Sequence, residues 1–222
     1  MALSEDTTAL TTVIKPHLRG WLHAGTFPVA VVVGGFLTAL CPDARTRVAL
    51  ALFTVSAALL FGISALFHRG RWSERAHKRL RGFDHANIFL IIAGSYTPFC
   101  VLLLPPGQAR TLLWIVWCVA LAGVAFRVLW TDAPRWLYVP VYIALGWFAV
   151  FYLPGFWRTG GALVVALLIL GGVLYTLGAV VYGLQRPNPN LRWFGFHEVF
   201  HALTIAAFGT HCIGIGIALR AF

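Results

Sequence analysis

Five polar residues lie in or beside long apolar stretches of this 222-residue chain. Ser64 and His68 close one stretch, Asp84 opens the next, and His197 and His201 begin the last. Ionisable groups among membrane-spanning helices cost free energy, so such residues form a functional-site hypothesis. Three histidines and a carboxylate are the residues that a zinc site with a reactive water uses. Metal-dependent hydrolysis is therefore the first chemistry to consider.

The segment 197–201 reads HEVFH and places two histidines one helical turn apart. Both imidazoles then face the same way and could bind one zinc ion at about 2.0–2.1 Å. The segment also matches the HExxH signature of zinc proteases, in which Glu198 would be the general base and a third ligand would follow. No acidic residue follows Glu198. His211 is ten residues beyond His201, about 15 Å along a helix, which disfavours the protease interpretation.

The best third ligand is His68, which closes a different apolar stretch. Ser64 lies four residues earlier, on the same helical face. Asp84 could act at the same centre, and it would also suit the N-cap of the third helix, a compatible role. The alternative for the three histidines is hydrogen bonding to neighbouring helices or contact with the membrane interface. We expect His77 and His85 to be loop or interface residues.

The composition predicts an integral membrane protein. Hydrophobic residues make up 59% of the chain and charged residues 11%, whereas a soluble domain carries about 25% charged residues. The net charge is +10, but the basic residues fall in short segments between apolar stretches, which is a topology signal and disfavours nucleic-acid binding. The four cysteines form no CxxC pair and are interpreted as small buried hydrophobes. No cleaved signal peptide is expected, since the first span can direct insertion.

The predicted fold is an all-α integral membrane protein with a single domain over residues 1–222. About 20 apolar residues are needed to cross the hydrocarbon core, and seven stretches qualify. The predicted spans are 21–40, 48–67, 85–104, 111–130, 136–153, 161–183 and 196–219. The fifth is the weakest, because it is short and contains Pro140.

Basic residues predict the orientation of this seven-helix bundle. With seven spans, twelve of the 17 basic residues lie on the side of the N-terminus. The N-terminus is therefore predicted in the cytoplasm and the C-terminus outside. An odd number of spans also brings all five polar residues to one membrane depth, whereas six spans would separate His197 and His201 from the rest.

Three blocks of the sequence resemble the progestin and adiponectin receptor family, in its bacterial hemolysin III branch. The blocks are SALFH at 64–68, RGFDH at 81–85 with the following IIAGSYTPF at 91–99, and HEVFH at 197–201 with His211 after it. Their order and the seven-span layout are similar to those of the family over nearly the whole chain. The short tails resemble the bacterial branch, which implies a multi-pass protein of the bacterial inner (plasma) membrane.

The resemblance implies a role for each of the five residues. It implies that His68, His197 and His201 bind zinc, that Asp84 contacts the reactive water, and that Ser64 belongs to the same site. Receptor members are similar to ceramide-hydrolysing enzymes, and bacterial members have been linked to haemolysis by name and to membrane-fluidity homeostasis.

Two functions of different classes follow from these observations. The first is a zinc-dependent intramembrane hydrolase of a lipid amide or ester, with a membrane lipid as substrate and with Asp84 and Ser64 as catalytic residues. The second is a non-catalytic membrane regulator or sensor in which zinc joins three helices. A pore, as the hemolysin name suggests, is disfavoured because the spans lack a polar stripe beyond this cluster.

Overall fold

The computed structural model describes residues 15–41 and 43–220. Over these ranges the chain is helical, without a β-strand, and its one β-bridge joins Asn190 to Phe194. The described elements are α1 (Trp21–Leu40), α2 (Ala44–Arg69), α3 (Glu74–Leu103), α4 (Pro106–Leu129), α5 (Arg135–Trp147), a 3₁₀ turn (Phe148–Tyr152), α6 (Leu153–Leu184) and α7 (Phe196–Leu219).

The chain is a helical membrane protein. Among the described residues, six helical segments are long and apolar enough to cross a membrane. Large apolar side chains are exposed along several of them, as expected for surfaces that contact lipid. Examples are Val32, Phe36, Trp114, Leu121 and Leu163. The fifth and sixth predicted spans fall together in one of these segments, Arg135–Leu184.

This 50-residue segment folds back on itself as a hairpin, with α5 on one limb and the part of α6 after Gly161 on the other. The hydroxyl groups of Tyr138 and Tyr182 are 3.2 Å apart, whereas one straight helix would separate these residues by about 66 Å. The reversal occurs within α6 at Gly161, whose φ of +72° and ψ of 179° interrupt the helix. On the first limb, at the 3₁₀ turn, the hydroxyl of Tyr96 accepts a hydrogen bond from the Ala149 backbone N–H and lies 3.0 Å from the Leu145 carbonyl. Tyr96 thereby satisfies backbone hydrogen-bonding groups that have no regular helical partner at the 3₁₀ turn.

Helix α3 occupies the centre of the bundle and packs against α2, α4, α5, α6 and α7. It begins at Glu74, eleven residues before the predicted third span, and the Ser73 side chain caps it by accepting from the Ala76 N–H. Most of the basic segment between the second and third predicted spans therefore forms the first turns of this helix. Asp84 lies well inside α3, so the suggestion that it caps this helix is wrong.

Candidate metal centre

The centre is built from the last turn of α2 and the first turns of α7. His68 precedes the C-terminal residue of α2, and His197 and His201 lie in the first two turns of α7. One ring nitrogen from each of the three histidines lies within 4.8 Å of the others, and all three side chains are buried. We call this group the triad. It could hold a metal ion, so residues 129 positions apart in sequence meet as the sequence hypothesis requires.

The spacing of the ring nitrogens fits a metal ion. Nε2 of His68 and Nε2 of His197 are 3.0 Å apart. Two ligands at about 2.0–2.1 Å from a tetrahedral ion would be separated by about 3.3 Å. Three neutral imidazoles suit several transition metals, including zinc, copper, iron and nickel, so the donor set indicates a metal without choosing one.

Asp84 and Ser64 lie at the triad as well. Oδ2 of Asp84 is 3.5 Å from Nε2 of His68, and the carboxylate is buried. Ser64, one turn before His68 in α2, is 2% exposed and lines the same cavity as Asp84 and His201. All five residues selected from the sequence therefore meet at one end of the bundle.

Glu198 stabilises the start of α7 and is fully buried. Its Oε1 accepts from the Arg19 guanidinium, and its Oε2 accepts from the Gly195 backbone N–H at 2.8 Å. The second contact is the return half of a capping box, which satisfies a backbone donor that the helix end leaves unpaired. Both oxygens are thus engaged in fixing the helix that carries two of the triad histidines. Because both oxygens already accept hydrogen bonds in this anchoring role, the arrangement disfavours Glu198 as the general base of the protease alternative.

The segment before α1 contacts His68, the triad histidine that belongs to α2. Lys15 donates to the backbone carbonyl of His68, and Gly20 lies so close that an added Cβ would be 2.8 Å from the His68 Cβ. Gly20 has a φ of +81°, a conformation that glycine adopts with little strain. The chain can therefore turn into α1 directly against the end of α2.

His23 is a member of this end of the bundle that the sequence reasoning missed. Its ring stacks on that of His201, with centroids 3.6 Å apart and planes 12° apart, and it is 2% exposed. In the sequence, His23 is a single histidine in the first apolar stretch, and no spacing motif marks it as a site residue.

A second missed group surrounds His85, which lies inside α3 and not in a loop. Its Nδ1 is 2.8 Å from an Arg127 guanidinium nitrogen, its Nε2 is 3.1 Å from the Tyr182 hydroxyl, and its carbonyl accepts from Tyr142. These contacts join α3 to α4, α5 and α6. The sequence could not reveal them, because the partners come from three separate helices.

A cavity of about 120 Å³ runs from the triad into the bundle. At one end it is lined by His23, Ser64, Asp84 and His201, and apolar side chains form most of its remaining wall. His211 and Tyr175 line it farther along. Since His211 is ten residues after His201 in α7, the cavity extends about 15 Å along the helix. We call this the deep cavity; its mostly apolar lining is compatible with an apolar chain that has a polar group at the triad.

An open depression of about 540 Å³ lies on the other side of the triad, and we call it the vestibule. His68, His85, His197 and Tyr182 contribute to its wall. Its cationic lining consists of Lys15, Arg19, Arg81, Arg127 and Arg135, and Asp132 is the one acidic residue among the described residues that line it. The triad therefore lies between a basic, open depression and an apolar cavity.

Known proteins are similar to this chain over most of its length. A family model described as Haemolysin-III related matches residues 11–212. The protein named Hemolysin-3 from Bacillus cereus is 31% identical over 207 residues, which are 91% of this chain and 91% of that protein. The Hemolysin-3 homolog of Bacillus subtilis is 33% identical over 154 residues, 67% of this chain and 70% of that protein. The adiponectin receptor protein of Drosophila melanogaster is 27% identical over 192 residues, 77% of this chain and 42% of that receptor.

Proposed function

Because this chain belongs to the haemolysin-III-related family of membrane proteins, within the wider group that includes adiponectin receptors, we propose that it is a zinc-dependent hydrolase of a lipid amide or ester. The observation that carries the proposal is the position of the triad, with Asp84 and Ser64 beside it, at the end of an apolar deep cavity. A polar reacting group and a long apolar tail of one substrate would match these two environments.

In this proposal His68, His197 and His201 hold the zinc ion. When bound, zinc supplies a Lewis acid that polarises a carbonyl group and acidifies water. Asp84 accepts a proton from the attacking water as its oxygen adds to the carbonyl carbon, and that proton is delivered to the leaving amine or alcohol. Ser64 donates a hydrogen bond to the carbonyl oxygen as it becomes negative, a contribution worth about 100- to 1,000-fold in other hydrolases. The walls of the deep cavity hold the acyl chain.

We also propose seven membrane crossings, with the N-terminus in the cytoplasm and the C-terminus outside, in the bacterial inner membrane. The support is that the 50-residue segment reverses direction at Gly161 and pairs Tyr138 with Tyr182 across the hairpin, so it can cross twice. The excess of basic residues on the N-terminal side supports the orientation. The triad then lies near the cytoplasmic face. A role in membrane lipid and fluidity homeostasis follows if the substrate is a bilayer lipid.

The variant Asp84→Asn tests the hydrolase. We expect it to keep the metal content of the wild type and to lose about 100- to 10,000-fold in hydrolysis of a long-chain amide, because a general base contributes that much. The measurement combines elemental analysis of the purified protein with lipid mass spectrometry of the reaction. Turnover equal to that of the wild type in a metal-loaded Asp84→Asn protein would exclude this mechanism.

A non-catalytic function with a structural metal is the second candidate. It is favoured by the fact that the triad joins α2 to α7, two helices far apart in the sequence. In that case metal removal lowers the melting temperature, while no lipid pool changes when the protein is overexpressed. Lipid profiling of cells that express the wild type or Asp84→Asn separates the two candidates.

A further inference from the structure

The vestibule carries more positive charge than its acidic neighbours neutralise. Arg19 is paired with Glu198, and Arg81 shares the carboxylate of Asp132 with Lys78. Among the described residues, no carboxylate lies within salt-bridge distance of Lys15, Arg127 or Arg135. Three cations that line one depression therefore have no anionic partner in the described part of the chain.

Arg127 is the most informative of the three, because it is 1% exposed. Its guanidinium donates to the carbonyls of Trp130 and Thr131, contacts Nδ1 of His85 and lies 4.3 Å from the Tyr138 ring centroid. The carbonyls and the tyrosine ring are neutral, and an imidazole is neutral in its unprotonated form. Its Nε is buried and has no hydrogen-bond partner among the described residues. A buried charge without a counter-ion is costly, so such residues are typically paired or serve a ligand.

The other two cations complete a basic face around the opening. Arg135 lies over the Tyr182 ring, with its guanidinium carbon 5.0 Å from the centroid, and Lys15 is held beside the end of α2 by its contact with the His68 carbonyl. Arginine forms paired hydrogen bonds with phosphate and carboxylate, and lysine binds phosphate as a point charge. A phosphate suits three cations better than a carboxylate does, because a phosphate carries up to two negative charges.

We propose that the vestibule is a binding site for a phosphate group, held by Arg127, Arg135 and Lys15. The phosphate can belong to a lipid headgroup at the membrane surface or to a soluble phosphate compound, and both sources share the same recognition chemistry. The site does not require the hydrolase, since none of the three cations is a triad residue or contacts Asp84 or Ser64 among the described hydrogen bonds and salt bridges, and Lys15 contacts His68 only at its backbone carbonyl.

The test uses the full chain, purified in a detergent with an uncharged headgroup. Inorganic phosphate is titrated by calorimetry, and the same protein in phosphatidylcholine nanodiscs, with or without phosphatidic acid, is analysed for retained lipid by mass spectrometry. The double variant Lys15→Gln/Arg135→Gln removes two vestibule charges at partly or fully exposed positions. The control double variant Arg110→Gln/Arg158→Gln removes the same charge from exposed positions outside the vestibule lining.

We expect the vestibule variant to bind about tenfold or more weakly than the wild type, because each charged hydrogen bond contributes at least that much, and the control to bind as the wild type does. Loss of inorganic phosphate binding assigns the site to a soluble compound. Loss of phosphatidic acid alone assigns it to a lipid headgroup. The proposal is overturned if the wild type retains neither probe, or if the two double variants weaken binding equally.

Discussion

Helix α7 carries two buried histidine environments that differ in what surrounds them. At its start, His197 and His201 meet His68 from α2, and the three ring nitrogens converge within 4.8 Å. Ten residues later, His211 lies among aromatic rings, with its centroid 5.7 Å from those of Phe99 and Tyr175. Neither of its ring nitrogens has a hydrogen-bond partner among the described residues. Burial alone therefore does not bring potential metal ligands together; a histidine from another helix must also lie within reach.

The two environments also differ in how they are anchored. The triad end is held by the Glu198 contacts to Arg19 and Gly195 and by the Lys15 contact to the His68 carbonyl. At the His211 end, the close contact is with a glycine, since a Cβ at Gly171 would lie 2.3 Å from Nε2 of His211. Polar contacts hold the triad end, whereas the absence of a side chain at Gly171 makes room for the His211 ring.

Removal of one histidine from each environment should have different effects on the metal. We expect His68→Ala to lower metal affinity by more than the about 10- to 100-fold that loss of an outer partner costs, because it removes a ligand. We expect His211→Ala to retain the metal. Elemental analysis and competition with a chelator measure both. If His211→Ala loses the metal to the same extent, the assignment of the triad as the metal site is wrong.

Loss of the Glu198 charge should affect the triad end alone. Glu198→Gln leaves Arg19 without its partner and weakens the start of α7. We expect a loss of about 1–3 kcal/mol in stability, below the value for a fully buried pair, because Arg19 is partly exposed. Thermal unfolding in detergent and metal affinity are the measurements. Glu74→Gln, at an exposed position in the first turn of α3, is the matched control and should change neither quantity.

A substitution at Gly171 should affect the His211 end alone. In Gly171→Ala the new methyl group overlaps the His211 ring, and overpacking of this kind costs about 1–3 kcal/mol. At the adjacent Gly172 the nearest atom to a Cβ is a Trp147 ring atom at 3.8 Å, so Gly172→Ala should be tolerated. We expect both variants to retain the metal. The melting temperature reports the difference, and equal destabilisation by both substitutions would contradict it.

Local sequence spacing predicted part of this site for a physical reason. His197 and His201 are one helical turn apart, so any helix through them places both on one face. Ser64 and His68 are related in the same way. Membrane character followed from the apolar stretches, and the family followed from the three sequence blocks.

The wrong predictions concern residues whose surroundings depend on long-range packing of the helices. Asp84 resembled a cap because it opens the third apolar stretch and aspartate suits an N-cap, yet α3 begins ten residues earlier, at Glu74. His85 resembled an interface residue, but Arg127 and Tyr182 arrive from α4 and α6 to bond its ring. A cap or a loop can be inferred from neighbours in sequence, whereas a network needs partners whose positions depend on the whole bundle.

The sequence by itself determined that the protein is helical and membrane-embedded, because hydropathy and helical periodicity are local properties of the chain. It also determined which residue types could bind a metal. Only the tertiary structure decided that His68 meets His197 and His201, that His23 stacks on His201, and that Arg127 is buried without a carboxylate among the described residues. Those outcomes depend on how α1, α2, α4 and α7 are placed relative to one another, and that placement results from the packing of all the helices together.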